Sequence, residues 1–277
     1  MSELERGNLF IVKAGTSTLL NEDRSPDRNV FEHMTQDISG FWCAGKRFII
    51  VTSGAVELGR AEVGEKATAN TDPGTFASAG QDKLMREYGN HFGRQDIGVS
   101  QVLVESNHFE INKDNPETSR VMRVISQNLQ LGRIPIVNEN DSVSEPKTTL
   151  GDNDALTAKL AIWLESHGRK VDGVFILSVS NGSVEQKALG RGSASAKSEA
   201  IREMEGHGIK TMLVEGKKPH VIRELFRSGE AFEEARRSSR GLIGGRTPSL
   251  AAIGDAFSGV LRNGNADEQM SRRTRIR

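Results

Sequence analysis

Carboxylate and carboxamide side chains follow a short apolar run near the middle of the chain. Residues 134–137 are typical of a buried strand and open directly into Asn138-Glu139-Asn140-Asp141. A second polar cluster at residues 151–154 precedes an Ala- and Leu-rich helical pattern over 155–165. Open α/β sheets bind ligands at the carboxyl ends of their strands. Asn and Asp are also common in helix caps and turns, but two clusters flanking one loop favour a site for a small polar molecule.

Three strand-to-turn junctions carry small or glycine-rich polar sequence, at residues 13–18, 52–59 and 190–197. Glycine lets the backbone approach a ligand closely, and N–H groups at a helix start favour anions. Lys13 ends the first strand and Lys197 follows the last glycine-rich loop, so two lysines could neutralise charge on a transferring phosphoryl group. A single glycine-rich turn is more often only a turn, and neither a Walker A loop nor a Rossmann fingerprint is present. The residues alone therefore favour a phosphate-handling protein without fixing its substrate.

Short apolar runs that alternate with helical patterns must position these side chains. The predicted strands are 9–12, 48–51, 99–104, 134–137, 173–179 and 209–214, and the predicted helices are 26–45, a helix opening after 52–55, 76–92, 118–132, 155–166, 195–206 and 219–226. Such alternation predicts an α/β fold with a largely parallel sheet covered on both faces. Gly80 is expected to weaken its helix, and the poorly patterned residues 62–75 are expected to form a mobile loop.

Composition limits the classes of protein and of partner. The 277 residues carry 37 basic and 37 acidic groups, which gives no general attraction to nucleic acids or membranes. No stretch of about 18 apolar residues predicts a membrane span, and the N-terminus lacks the apolar region of a signal peptide, so a cytoplasmic protein is expected. The single cysteine, Cys43, excludes an internal disulfide and is predicted to be a core or near-core residue.

The amino-acid composition of the chain changes near residue 234. Residues 1–234 are predicted to form the folded domain, and 235–277 an Arg-, Gly- and Ser-rich tail that is largely disordered. One amphipathic helix is possible near 249–262. The arginine-rich end could contact a phosphate or an acidic partner, although a solvated tail is the simpler interpretation.

Five motifs in order, VKAGTS, VTSGAVELG, ASAGQDKLM, IPIVNENDSV and LGDNDALTAKLA, resemble the glutamate 5-kinase branch of the amino acid kinase family. The resemblance covers roughly residues 8–234 and is dense over 8–165. It implies a three-layer αβα sandwich around a mainly parallel sheet. It also implies ATP-dependent phosphorylation of the γ-carboxylate of L-glutamate with Mg²⁺, the first step of proline biosynthesis, in a homodimer or homotetramer.

The resemblance also implies roles for individual residues. The implied catalytic residues are Lys13, Asp154 and Lys197, with Asp154 positioning the two lysines. The implied glutamate-binding residues are Ser53, Asn138, Asp141, Asp152 and Asn153. The implied nucleotide-binding residues are Lys13, Gly15, Thr16, Ser178, Val179, Arg191, Gly192, Ser193 and Lys197. No residue is assigned to a metal.

Departures from the family pattern fall on the nucleotide half. Ser178-Val179 stands where the family has Thr-Asp, and only residues 181–190 separate that strand from the next glycine-rich loop. That loop reads GRGSASAK in place of GTGGMSTK, and the tail stands where many relatives have a PUA domain. One alternative is therefore a catalytically degenerate homologue that binds an acidic amino acid as a sensor or partner subunit. Another is a kinase that acts on a different acid or uses a different phosphoryl donor.

Overall fold

A computed structural model describes residues 8–109, 116–144, 153–179 and 194–227. The chain divides into two compact units, Met1–Pro219 and His220–Arg277. Only residues 220–227 of the second unit are described. The predicted domain boundary near 234 and the predicted tail lie outside the described residues, so both stay predictions.

Six strands and eight α-helices are formed by the described residues. In chain order they are β1 Leu9–Ala14, α1 Thr16–Leu19, α2 Arg28–Cys43, β2 Arg47–Thr52, α3 Ala55–Val63, α4 Pro73–Gly93, β3 Gly98–Val104, α5 Pro116–Gln130, β4 Arg133–Glu139, α6 Asn153–Ser166, β5 Val171–Ser178, α7 Ala194–Gly206, β6 Thr211–Glu215 and α8 Val221–Arg227. Short 3-10 helices span Gly64–Lys66 and Ser106–Phe109. All six predicted strands are confirmed.

The strands form one parallel sheet in the order β3-β4-β2-β1-β5-β6. All six residues of β1 are buried, as expected for a central strand covered on both faces. Right-handed crossovers put α2 and α4 on one face and α5, α6 and α7 on the other. The helix contacts agree, because α4 packs on α2 and α3 while α6 packs beside α7. The predicted three-layer αβα sandwich is confirmed for the described residues.

This topology gathers polar residues at one edge of the sheet. The chain runs from β1 to β2, then to the outermost strand β3 and inwards to β4, all on one side of β1, and crosses through α6 to β5 and β6 on the other side. The crossover helix α6 contacts β1, β2, β4 and β5. Ligands of open α/β sheets bind where strand order reverses in this way, and α6 begins at that point with Asn153 and Asp154.

The helix α4 is continuous through Gly80, and this glycine is where α4 touches α3. A Cβ atom on Gly80 would stand 1.8 Å from the carbonyl oxygen of Ala55 and 2.4 Å from the backbone nitrogen of Gly59. A Cβ on Gly59 would in turn stand 1.8 Å from the carbonyl oxygen of Phe76. Glycine at these positions lets the two helix backbones approach closely, which fixes α3 just after the end of β2.

Two predictions need correction. Residues 62–75 are not one continuous loop, because α3 extends to Val63, a 3-10 helix follows, and α4 begins at Pro73, with the Asp72 side chain accepting a hydrogen bond from the Gly74 N–H at 2.7 Å. Cys43 is exposed at the end of α2 and is not a core residue. Among the described helices, none is long and apolar enough to cross a bilayer.

Candidate functional site

A buried ion pair joins the carboxyl end of β1 to the start of α6. The Nζ of Lys13 lies 2.7 Å from Oδ1 of Asp154, and the two side chains are 3% and 0% exposed. Two charges are kept out of water only when they compensate each other. The pair therefore presents an ammonium group of fixed position at the edge of the sheet where ligands are expected.

Gly15 follows this lysine and gives it room. A Cβ atom on Gly15 would stand 3.3 Å from Lys13 Nζ, so any larger residue would press on the ammonium group. Gly15 is the N-cap of α1, and its carbonyl accepts hydrogen bonds from the N–H groups of Thr18 and Leu19. Thr16 begins α1 and is half-buried. The tight turn after β1 thus places the Gly15 backbone close to the Lys13 ammonium group.

A second cluster, which we call the amide cluster, consists of Ser53, Asn138 and Asn153. Nδ2 of Asn153 contacts the carbonyl oxygen of Thr52, Oγ of Ser53 at 2.8 Å and Oδ1 of Asn138 at 2.9 Å. The cluster brings together the ends of β2 and β4 and the start of α6. Its neighbour Asp154 holds Lys13, so the two groups share one edge of the sheet.

Free hydrogen-bonding capacity in this cluster is unevenly distributed. Asn138 is 1% exposed, and both ends of its amide are occupied: Oδ1 accepts from the Glu139 N–H at 3.0 Å, and Nδ2 donates to Gln81 at 3.0 Å. Among the described residues, Oδ1 of Asn153 has no hydrogen-bond partner although the residue is only 8% exposed. Asn153 therefore offers an acceptor, whereas Asn138 holds its neighbours.

Gln81, in α4, is a residue of this region that sequence reasoning missed. Its Oε1 accepts from Asn138, and its Nε2 donates to Oε1 of the exposed Gln101 on β3 at 3.3 Å. The motif ASAGQDKLM contributes to the family resemblance, but no local pattern indicates that a helical glutamine reaches the end of β4. The contact between Gln81 and the end of β4 follows only from where α4 packs in the folded protein.

Asp141 lies in the turn after β4 and is half-buried. The N–H groups of Val143 and Ser144 donate to the Asn140 carbonyl at 3.1 and 3.0 Å, which closes this turn. Gly74 at the start of α4 packs against the turn, since a Cβ there would stand 3.2 Å from the Asp141 carbonyl oxygen. Asp152, the other predicted glutamate-binding carboxylate, lies outside the described residues.

Two of the predicted nucleotide-binding residues, Ser178 and Val179, lie at the end of β5, which neighbours β1 on the side away from β2. Ser178 ends β5 and Val179 follows it, both half-buried, and the Ser178 carbonyl accepts from the Gly216 N–H at 2.7 Å. A Cβ on Gly216 would stand 2.5 Å from the side chain of Thr18, so β6 and α1 are tightly packed there. Lys197 lies in the first turns of α7 and is half-buried. Arg191, Gly192 and Ser193 lie outside the described residues.

The structure thus unites Lys13 with Asp154, and Ser53 with Asn138 and Asn153. It gives no direct contact between Lys197 and either group in the described part of the chain. Within the same residues, no group of three His, Cys, Asp or Glu side chains is arranged to hold a metal ion.

Comparison with known proteins connects this arrangement to phosphotransferases. The model of the amino acid kinase family matches residues 8–214. A glutamate 5-kinase of Symbiobacterium thermophilum is 31% identical over 245 residues, covering 79% of this chain and 92% of that protein. A glutamate 5-kinase of Prochlorococcus marinus is 32% identical over 161 residues, covering 57% of this chain and 44% of that protein. The alignment therefore spans less than half of the latter relative.

Solved structures with similar folds include an isopentenyl phosphate kinase, with a TM-score of 0.52 at 15% identity, covering 86% of this chain and 97% of that one. A carbamate kinase of Giardia has a TM-score of 0.50 at 14% identity, covering 75% and 92% of the two chains. At such identities the likeness concerns the fold alone.

Proposed function

Because the chain belongs to the amino acid kinase family, we propose that it transfers the γ-phosphoryl group of ATP to the γ-carboxylate of L-glutamate. The products would be γ-glutamyl phosphate and ADP, as in the first step of proline biosynthesis. The observation that carries this proposal is the buried Lys13–Asp154 pair, 2.7 Å apart, on the same sheet edge as the amide cluster. The similarity to curated glutamate 5-kinases supports the choice of acceptor.

Phosphoryl transfer to a carboxylate needs no general base, because the ionised carboxylate is already a nucleophile. One of its oxygens forms a bond to the γ-phosphorus while the bond to the β,γ-bridging oxygen breaks, and ADP leaves with that electron pair. Positioning and charge neutralisation then account for the rate. Lys13 would hold the transferring group and Lys197 would approach it from α7, while Asp154 fixes the Lys13 ammonium. Mg²⁺, for which phosphate oxygens and water supply most ligands, would enter with ATP.

The amide cluster would bind the amino acid. Ser53 Oγ accepts from Asn153, which leaves the hydroxyl hydrogen to donate to the α-carboxylate of glutamate. The Asn153 Oδ1 atom can accept from the α-ammonium group, and the Asp141 carboxylate can neutralise its charge. Asn138 would act indirectly by holding Asn153. The predicted assembly into a homodimer or homotetramer stays a prediction.

Trapping the acyl phosphate tests the proposal. The full chain would be incubated with glutamate, ATP, Mg²⁺ and hydroxylamine, and γ-glutamyl hydroxamate would be measured by its iron complex. Hydroxamate that depends on both glutamate and ATP is the expected result. Aspartate in place of glutamate is the matched control for acceptor length, and reactions with no hydroxamate from any acid would contradict a kinase.

A second candidate is a homologue that binds the amino acid without turnover. It is favoured by Ser178-Val179, where the carboxyl end of β5 carries no acidic residue. The hydroxamate assay distinguishes the two candidates, since glutamate would stabilise both against thermal unfolding but only the kinase would yield hydroxamate.

A further inference from the structure

Gln81 lies behind the amide cluster and connects it to α4. Its Oε1 is 3.0 Å from Nδ2 of the buried Asn138, whose Oδ1 is in turn 2.9 Å from Nδ2 of Asn153. Gln101 continues the chain of amides on the outer side at 3.3 Å. The four side chains belong to α4, β3, β4 and α6, and so tie four elements at one edge of the sheet.

Backbone groups fix the direction of this chain of hydrogen bonds. The Thr52 carbonyl can only accept, so the end of the Asn153 amide facing it must be the NH₂ group. The Glu139 N–H can only donate, so the end of the Asn138 amide facing it must be the oxygen. The Asn138 NH₂ group then points at Gln81, which must supply an acceptor. A buried N–H without an acceptor would be costly, so Asn138 depends on Gln81.

We propose that Gln81 is a positioning residue of the amino-acid site, holding Asn138 and, through it, the Asn153 amide in the orientation that presents Oδ1 to the ligand. The identification of that ligand as glutamate rests on the proposed function. Gly80 supports the arrangement, because its close contact with the Ala55 carbonyl fixes the position of α4 relative to α3 at the residue next to Gln81. Gln81 itself contacts no substrate in this scheme.

Replacing Gln81 separates its acceptor role from its bulk. Gln81→Met keeps the length of the side chain and removes both amide groups, whereas Gln81→Glu keeps an oxygen that can accept from Asn138. Gln101→Met removes only the exposed outer partner. The scheme predicts that Gln81→Met disturbs the site, that Gln81→Glu rescues it, and that Gln101→Met has little effect.

Side-chain amide resonances test the hydrogen-bond relay, by which we mean the links from Gln81 through Asn138 to Asn153, without any assumption about the reaction. In protein labelled with ¹⁵N-asparagine, with signals assigned by single Asn→Ser variants, the NH₂ groups of Asn138 and Asn153 should shift and exchange faster with water in Gln81→Met but not in Gln81→Glu. Unchanged resonances in Gln81→Met would overturn the relay, whether or not the protein phosphorylates glutamate.

Steady-state kinetics test the consequence for substrate. For Gln81→Met, the glutamate KM is expected to rise about tenfold, whereas the ATP KM should change less than about twofold. For Gln81→Glu, both KM values should stay close to wild type. A glutamate KM that stays at the wild-type value, or equal losses in both variants, would overturn the positioning role. If wild-type protein yields no hydroxamate, the proposed function fails while the resonance experiment still decides the relay.

Discussion

Lys13 Nζ and Asp154 Oδ1 lie 2.7 Å apart between the end of β1 and the start of α6, with both side chains buried. Removing one partner of a buried ion pair typically costs about 3–5 kcal/mol. We therefore expect Lys13→Met and Asp154→Leu each to lower the free energy of unfolding by about that amount, measured by urea denaturation. The exposed Arg86–Asp82 pair is a matched control, and Arg86→Met should change stability by less than about 1 kcal/mol.

The double variant Lys13→Met/Asp154→Leu separates stability from catalysis. An apolar replacement of a whole buried pair is often neutral, so much of the lost stability should return. Turnover in the hydroxamate assay should not return, because the ammonium group is absent. A double variant with turnover close to wild type would contradict the proposed role of Lys13.

The close contact between Gly80 and Ala55 predicts that alanine at residue 80 will lower stability. A Cβ at residue 80 would stand 1.8 Å from a backbone oxygen, so Gly80→Ala should force α3 and α4 apart and cost about 3 kcal/mol. Gly89 lies in the same helix with nothing within 4 Å of its Cβ position. Gly89→Ala should therefore stabilise the protein by up to about 1 kcal/mol through helix propensity. Equal urea midpoints for the two variants would refute the close packing.

These same helices show where sequence reasoning reaches its limit. Strands such as β1 and β4 could be predicted because burial on both faces requires short, continuous apolar runs. Asn138 and Asn153 could be singled out because polar clusters at a strand end and a helix start are local patterns. Gly80 and Gln81 act through the crossing of α4 with α3 and its approach to β4, and such distances between segments leave no periodic signal. The helix propensity of Gly80 could therefore be judged from the sequence, but its packing against α3 could not.

Departures in the nucleotide half show a different limit. Ser178 and Lys197 could be aligned with the family pattern, but a pattern does not state whether two lysines converge. The described residues include Lys13 and Lys197, whereas residues 180–193 between β5 and α7 lie outside them. The roles of Lys197, Ser178 and Val179 consequently stay predictions.

Lys197 is expected to affect turnover without affecting stability. Its side chain is half-buried in α7, unlike the fully enclosed Lys13. Lys197→Met should lower kcat by about 10²–10³-fold, the usual loss for one group that stabilises transition-state charge. The thermal stabilisation by glutamate should persist. Arg202→Met, an exposed change on the same helix, is the control, and full activity in Lys197→Met would remove the residue from the mechanism.

Stability should fall in mild acid because of His91. The ring stacks on Phe31, with centroids 5.8 Å apart, and its Nε2 is 3.5 Å from Glu87. Burial lowers the pKa of His91, and Arg94 adds to this effect, while Glu87 opposes it. In the unfolded state the pKa of His91 is near 6.5, so in mild acid the unfolded state binds more protons than the folded state. The contribution of neutral His91 to the free energy of unfolding is therefore complete above about pH 6.5 and is lost as the pH falls through the lowered pKa of the folded state.

The test compares melting temperatures at pH 7.5 and 5.5. His91→Phe preserves an aromatic ring against Phe31 and should reduce the difference between the two temperatures. His207→Gln, at the exposed end of α7, should leave that difference unchanged. A wild-type-like acid sensitivity in His91→Phe would contradict the assignment.

Asn153 gives the strictest test of the amide cluster, because Asn153→Asp preserves the shape of the side chain while replacing the NH₂ donor by an oxygen and adding a negative charge at pH 7. The Thr52 carbonyl and Asn138 Oδ1 are both acceptors, so an ionised carboxylate would face two oxygens. We expect the free energy of unfolding to fall by about 1–3 kcal/mol at pH 7, and by less near pH 4, where a protonated carboxyl can again donate.

Asn128→Asp on α5 is the control. It replaces an exposed amide bonded to the Val124 carbonyl and should change stability by less than about 0.5 kcal/mol. If Asn153→Asp proved as mild as this control at both pH values, the orientation assigned to the Asn153 amide would be wrong, and with it the acceptor offered to the amino acid.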